Sequence, residues 1–548
     1  MADTDTTHKT YWKSFRELSR DPEVMAQLGN EFPADYDEPS GGATSITRRT
    51  FVGLLAASAA LAATGCRRPE QTIVPYVRKP EYLVPGVANH FATAFAQQNF
   101  ATGLLVRSRE GRPIKIEGND IDPICGGASS HLAQASLLAL YDPDRILRPT
   151  VNDSDSTPLN AMRRIADAIR ETAARGKATR ILVDEHASPS LASLYAALEQ
   201  LLPNTKVVTW PAITATAPAE ANRRVLGVDA VIVPDLALAD VILGVEADFL
   251  GSDPEALYHI RRFAQRRSPA KQAAPMSRFY AVEAATTLTG SNADRRVRIR
   301  PGEINEFLLA LLHTLATRHG KTADASLTPL LKGAGNERFP QLAEIAADLA
   351  ARASVVMIGR HLPYETQVLG VLLNRALGAY GEGRVLDARR VLPFSNSKKA
   401  GIDALRKELR RGDVGVLLFA DVNPAYSMPG GGFRSLVSKV PYRFSLSLYA
   451  DETSKLCSIF IPINHHLEQW GDARMIDGAE AVAQPLIAPL NEGQPSLADA
   501  LMGVARAFDN KALAETPTWY DFIRARWKNE RFPASGRAGF EGFWHDAL

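Results

Sequence analysis

From about residue 160 onward, short apolar runs alternate with amphipathic stretches of helix length, and this alternation constrains the chain more than any other feature. Strand-length runs stand at 180–183, 206–209, 240–245, 279–283, 354–358, 414–419, 444–448 and 458–461, and helix-length stretches at 303–317, 339–352, 365–377, 403–410 and 496–508. Strands separated by helices return in parallel, so the pattern predicts an α/β protein built on mainly parallel sheets. At roughly 100 to 200 residues per domain, 548 residues make three or four domains or one large multi-lobed unit. Sheets of this kind take ligands beyond the carboxyl ends of their strands. Three such ends are candidates: 243–251, Ile358-Gly359-Arg360-His361, and 419–424.

The chain reads differently ahead of that region. Pro69, Pro75, Pro80 and Pro85 forbid a continuous helix over 67–100 and favour an extended strap with no core of its own. Residues 103–118 alternate apolar and polar on either side of Glu110-Gly111, as a two-stranded hairpin does, which places a small β-lobe at 101–150. The remainder, 151–548, is expected to form two interleaved α/β lobes.

Residues 45–66 have the parts of a secretory signal: Arg48 and Arg49, an uncharged run from Phe51 to Thr64, then Gly65-Cys66. That run of 14 residues falls short of the roughly 20 a spanning helix needs, and alanine dominates it. Thr47-Arg48-Arg49-Thr50-Phe51 resembles a twin-arginine signal, which implies export of an already folded protein. Ala63-Thr64-Gly65-Cys66 resembles a lipoprotein box with Ala63 in place of leucine, which implies a lipid on Cys66; alternatively Cys66 lies in a discarded peptide or an uncleaved tether. Residues 1–44 form a leader of unusual length.

Charge names no partner. Lys and Arg total 63 against 61 Asp and Glu, which argues against nucleic acid. GxSxG, HExxH, Walker A and GxGxxG are all absent, so hydrolase, zincin, P-loop and ordinary nicotinamide chemistry lose their usual support. Gly381-Glu382-Gly383-Arg384 and 430–432 read as turns. The adjacent His465 and His466 are expected to point apart and to stabilise a loop by hydrogen bonds, and His361 could face a ligand. The only cysteines are Cys66, Cys125 and Cys457, too few for a four-cysteine zinc or iron site; Cys125 and Cys457 read as small apolar side chains and not as a disulfide pair.

Several segments in order resemble one family. Residues 111–119 and 134–145, then 282–294, Asn423-Pro424-Ala425-Tyr426, Asp451-Glu452-Thr453, 466–472 and 484–489 look like the molybdopterin bis-guanine-dinucleotide oxidoreductases. Tyr11-Trp12-Lys13-Ser14, Glu31-Phe32-Pro33, the internal signal, Cys66, Ile73-Val74-Pro75-Tyr76 and Lys79-Pro80-Glu81 are similar to the molybdopterin-like iron–sulfur component of alternative complex III, a respiratory quinol-oxidising assembly.

The departures shape what that resemblance implies. The usual N-terminal four-cysteine cluster has no ligands here, since 69–140 holds only Cys125, and no cysteine stands in the central sheet to ligate molybdenum. The resemblance also implies a pterin-clamping domain and a ferredoxin-like domain beyond residue 548. The expectation is therefore an exported scaffold subunit, free of cofactor and without catalytic, cofactor or metal residues of its own. It would dock an iron–sulfur ferredoxin-like subunit, a multihaem cytochrome and membrane quinol-binding subunits at the periplasmic face of the cytoplasmic membrane. The alternatives are a molybdopterin-dependent subunit completed by a second chain, and a solitary exported lipoprotein that keeps only the fold.

Overall fold

The computed structural model describes Pro22 and residues 83–548, apart from 85, 98, 211–215, 269–274, 322–337, 393–397 and 429–431. The leader apart from Pro22, together with Arg48, Arg49, Phe51, Cys66 and most of the strap, lies outside the described residues. Asn89–Gln97 (β1) pairs antiparallel with Phe100–Arg109 (β2), which turns through Glu110 and Gly111, at φ 52° and 80°, into Arg112–Gly118 (β3). Two consecutive positive φ values match the right-handed twist of the flanking strands. The sheet has three strands where two were expected, because the strap reading fails beyond residue 88. No proline falls between Pro85 and Pro113, so every ladder N–H of β1 is available, and Ala94 enters a buried core. Ser130 caps His131–Leu140 (α1), which lies on β3.

Thr150–Val151 (β4) and Ser154–Asp155 (β5) form a short hairpin, followed by Pro158–Ala174 (α2), Ala178–Val183 (β6), Pro189–Leu201 (α3) and Thr205–Thr209 (β7). Thr157 and Ser188 accept the backbone N–H groups of Asn160 and Leu191 in the first turns of α2 and α3, and proline at the first helical position presets the φ of each entry. The chain then leaves for a second lobe made of Thr216–Leu226 (α4), Val231–Ile232 (β8), Val241–Val245 (β9), Ala256–Gln265 (α5), Arg278–Glu283 (β10), Arg295–Arg298 (β11), Ile304–His319 (α6), Leu342–Ala351 (α7), Ser354–Ile358 (β12), Tyr364–Ala376 (α8) and Val391–Leu392 (β13). It returns through Lys398–Arg411 (α9), Val414–Ala420 (β14), Pro424–Ser427 (α10), Phe433–Val437 (α11), Tyr442–Ser447 (β15) and Ile459–Pro462 (β16). Gly471–Arg474 (β17), Glu480–Ala483 (β18), Leu497–Phe508 (α12), Trp519–Arg526 (α13) and Phe540–Ala547 (α14) complete it.

Two sheets organise these elements. The larger runs β5-β4-β16-β15-β14-β6-β7, parallel from β16 to β7; the smaller runs β11-β10-β9-β12, parallel throughout. Every residue of β9 and β14 is buried, as a strand covered on both faces requires. Period-two alternation assigns β14 to two cores. Val416 and Leu418 pack with α2 and α12, while Leu417 and Phe419 pack with Leu405 and Leu409 of α9 and Phe433 of α11. Each fully buried Leu or Phe of this kind contributes about 1.5–3 kcal/mol. The smaller sheet divides likewise, with Leu243 and Val245 facing α6 and α7, and Ile242 and Phe279 facing Phe249 and Phe263.

Candidate functional site

Each sheet reverses its direction of growth once, and a reversal opens a crevice at the carboxyl ends of the two strands that flank it. The larger sheet grows from β6 to β7 and restarts at β14 on the other side of β6; the smaller grows from β9 through β10 to β11 and restarts at β12 on the other side of β9. Val183 pairs with Ala420 and Val245 with Ile358, so Asp184 and Asp421 mark one crevice, and Glu246 and Gly359 the other. Two of the strand ends expected from sequence, 243–251 and 358–361, thus meet, and the third, 419–424, belongs to the other sheet.

Carboxylates line both crevices. In the smaller lobe Glu246, at φ 49°, accepts the backbone N–H of Ala284 at 2.7 Å. Asp248 accepts Thr289 N–H at 3.2 Å, Thr289 Oγ1 at 2.7 Å and Ser252 N–H at 3.0 Å; burial opposes its ionisation, but these bonds hold it below its ordinary value. Glu283, level with Glu246 on the adjacent strand β10, accepts Arg296 and Thr287. The chain comes so close at Gly359 that a Cβ there would stand 2.1 Å from the carbonyl oxygen of Glu246.

Beside this point lies a cavity of about 100 Å³, lined by Asp253, Glu255, His259, Arg360 and apolar side chains of β12 and α8. Arg360 pairs with Glu255, and His259 Nε2 lies 3.6 Å from the same carboxylate. Burial alone would raise Glu255, but Arg360 and His259 override it and hold it well below the usual range, while burial and the Glu255 charge raise Asp253. His361 is exposed and does not line the cavity.

In the larger lobe Asp421, at φ 56°, donates its N–H to Leu446 O at 2.7 Å. Asp421 keeps solvent access, yet the surrounding protein and then the Asp184 and Asp451 carboxylates push it up to about 6. Burial and the same Asp421 and Asp184 charges raise Tyr195.

This donor set does not fit a pterin dinucleotide. Its pyrophosphates need free N–H groups and cations, whereas the N–H groups of Ala284, Thr289 and Ser252 already bind carboxylates and Arg296 and Arg360 are already paired. Among the described residues no group of three or more His, Cys, Asp or Glu could hold a metal ion. Gly383, in one of the glycine-rich turns, gives its N–H to Asp387 at 3.0 Å.

The segments that carried the family resemblance do something else: they hold each other. Arg145 reaches Glu468 with Nη1 at 3.3 Å and Nη2 at 2.7 Å, and Glu468 also accepts the N–H groups of His465 and Leu490. His465 and His466 do not point apart. Their rings lie 4.2 Å from each other, His465 Nε2 meets Ser136 O and His466 Nε2 meets Ser136 Oγ, each at 2.9 Å. The short 3-10 turn beginning at His466 brings both rings to the same side, and the expected loop-stabilising hydrogen bonds are these. Burial lowers His465 to about 4 and His466 well below its ordinary value. Asp472 accepts Ser188, Ser190, Arg526 and Trp527, tying α3 and α13 to β17.

Cys125 is buried and Cys457 half-buried, and both are free; burial pushes each thiol up to about 12. The strand ends read from sequence contain Glu246, Asp248 and Asp421 without singling out the acids, and sequence reasoning missed Asp184, Glu283 and the Asp253, Glu255 and His259 group. Their signal was available, since an acid follows Val183, Val245, Val282 and Ala420 directly, and Glu255 and His259 stand one helical turn apart.

No protein-family model matches the chain. It is 25 % identical over 441 residues to the menaquinone reductase, molybdopterin-binding-like subunit of Nitratidesulfovibrio vulgaris, covering 73 % of this chain and 62 % of that protein. The chain thus spans about three fifths of the length of that relative. Acetylene hydratase from Pelobacter acetylenicus superposes with a TM-score of 0.59 at 11 % identity, over 79 % of this chain and 71 % of that one. The likeness shows the fold, an α/β architecture of the molybdopterin-oxidoreductase type.

Proposed function

We propose that this chain is a cofactor-free structural subunit of a respiratory quinone oxidoreductase. Its menaquinone reductase relative supports membership of such an assembly, and the carboxylates at both sheet reversals carry the cofactor-free reading. A polyanionic dinucleotide placed there would face like charge in place of donors. Interlocked motif segments suit a scaffold, in which residues that resemble those of an enzyme family serve to hold lobes together.

The finer reading is an alternative complex III-like component that docks an iron–sulfur ferredoxin-like chain, a multihaem cytochrome and membrane quinol-binding chains. Export through Arg48 and Arg49 by the twin-arginine route and a lipid on Cys66 would hold it at the periplasmic face. Purification of the native assembly followed by elemental analysis tests the proposal. The expected result is co-purifying iron that tracks separate subunits and no molybdenum or tungsten; about one of either metal per chain, or a metal-free monomer without partners, would overturn it. Replacing Arg48 and Arg49 by Lys should strand the chain in the cytoplasm, and unchanged export would remove the twin-arginine route.

A further inference from the structure

The helix α9 carries six Lys and Arg against two Asp and Glu, a larger net charge than the +2 of the whole chain. Leu405 and Leu409 bury its apolar stripe, which turns Lys407, Arg410 and Arg411 to solvent. Neighbouring elements extend the charge. Exposed Lys206 lies on the edge strand β7 against which α9 packs, Lys177 donates to Gly412 O at 3.0 Å, and exposed Lys439 follows α11, which packs on α9.

The acids of this band are largely spent. Glu408 pairs with Arg180, Asp413 with Arg411 and Glu171 with Arg175, leaving Asp403 and Glu199. Among the described residues Lys177, Lys206, Lys407, Arg410 and Lys439 form no ion pair with a carboxylate. None of the exposed large apolar side chains of the described residues belongs to β7, α9 or α11.

We propose that the band is a docking surface for an anionic phospholipid bilayer. Protein interfaces are depleted in lysine and bind through buried aromatic or apolar anchors, which β7, α9 and α11 do not expose. An anionic headgroup surface asks only for cations near it, each contributing roughly fivefold to partitioning. Since no helix of the described residues is long and apolar enough to cross a membrane, contact at this face is peripheral. The inference is independent of which partners the subunit has.

Co-sedimentation of the full chain with vesicles tests it. Binding to phosphatidylcholine vesicles containing about one-third phosphatidylglycerol should exceed binding to pure phosphatidylcholine by at least roughly 100-fold at about 50 mM salt, and the difference should vanish near 500 mM. An acyl chain on Cys66 would insert into both vesicle types, so the difference reads the headgroups alone. Lys407→Glu with Arg410→Glu should lower anionic partitioning by at least roughly 25-fold. Arg148→Glu with Arg295→Glu, the same charge change at side chains 77 % and 56 % exposed, should leave most of it. Equal binding to neutral vesicles, equal loss in the Arg148/Arg295 variant, or retention by an acidic protein without vesicle affinity would each overturn the proposal. None of these results bears on the metal content or partners that test the structural-subunit reading.

Discussion

Arg145 and Glu468, 323 residues apart, form a two-pronged ion pair whose side chains are 4 % and 0 % exposed. The pair joins the segment after α1 to the segment after β16, and Ser136 receives both histidines of the second segment one helix earlier. Buried charges this well paired define a unique arrangement more than they add stability, because desolvation offsets much of their attraction.

Removing one partner is therefore costly. Glu468→Gln leaves the Arg145 guanidinium buried without its counter-charge and should destabilise the protein by about 3–5 kcal/mol in urea unfolding. Arg145→Met combined with Glu468→Leu should recover much of the loss, since it removes both charges together. A double variant no better than Glu468→Gln would show that the two residues act separately.

The paired histidines set a pH dependence. His465 ionises near 4 in the fold against about 6.5 in the unfolded chain, so the unfolded chain takes up the proton first as pH falls. Stability is fully present above about 6.5 and is lost between there and about 4, at about 1.4 kcal/mol per pH unit for each histidine buried in this way. Unfolding free energies from pH 8 to 4 should show this slope, and His465→Gln should flatten it; an unchanged slope would assign the dependence elsewhere.

At Gly359 the backbone of the smaller lobe's reversal leaves no room for a side chain. Gly359→Ala places a carbon against the Glu246 carbonyl, a backbone atom that cannot swing away, and should cost about 1–3 kcal/mol. A neutral result in urea titration would mean that the two strand ends separate freely.

Asp421 has the opposite sign from the histidines. Its folded value of about 6 lies above the usual carboxylate range, so the fold loses stability as pH rises from about 4 to 6 and carries the penalty unchanged above that. Asp421→Asn should thus stabilise the protein at pH 7, within about 1 kcal/mol because solvent screens the group. Destabilisation would point to a cation held between Asp184 and Asp421.

The parallel strands were legible because both of their faces are buried. Residues 354–358 carry the same limits in sequence and structure, and 414–419 falls one residue short. Strand β11, Arg295–Arg298, escaped notice because it lies at a sheet edge with Val297 as its only buried residue, and three arginines read as a loop. Strand β1 was hidden by the prolines before it. At the site, spacing located the strand ends but not their chemistry, since a single acid after an apolar run has many structural uses. Only the pairing of β6 with β14 and of β9 with β12 shows that these acids gather at the two sheet reversals. The histidine pair was misread for a local reason: alternation holds in extended chain, and residues 466–468 are not extended.

The excursion of the chain between β7 and β14 has a consequence for its biogenesis. Val183 can pair with Thr209 of β7 early, but its partner on the other side, Ala420, exists only after the entire smaller lobe is synthesised, roughly ten to fifty seconds later at 5–20 residues per second. During that interval β6 presents an unpaired edge on the side that β14 later closes. Any address read from the N-terminus leaves the ribosome long before there is a finished protein to deliver, and a route that accepts only completed folds would impose a delay that this topology makes unavoidable.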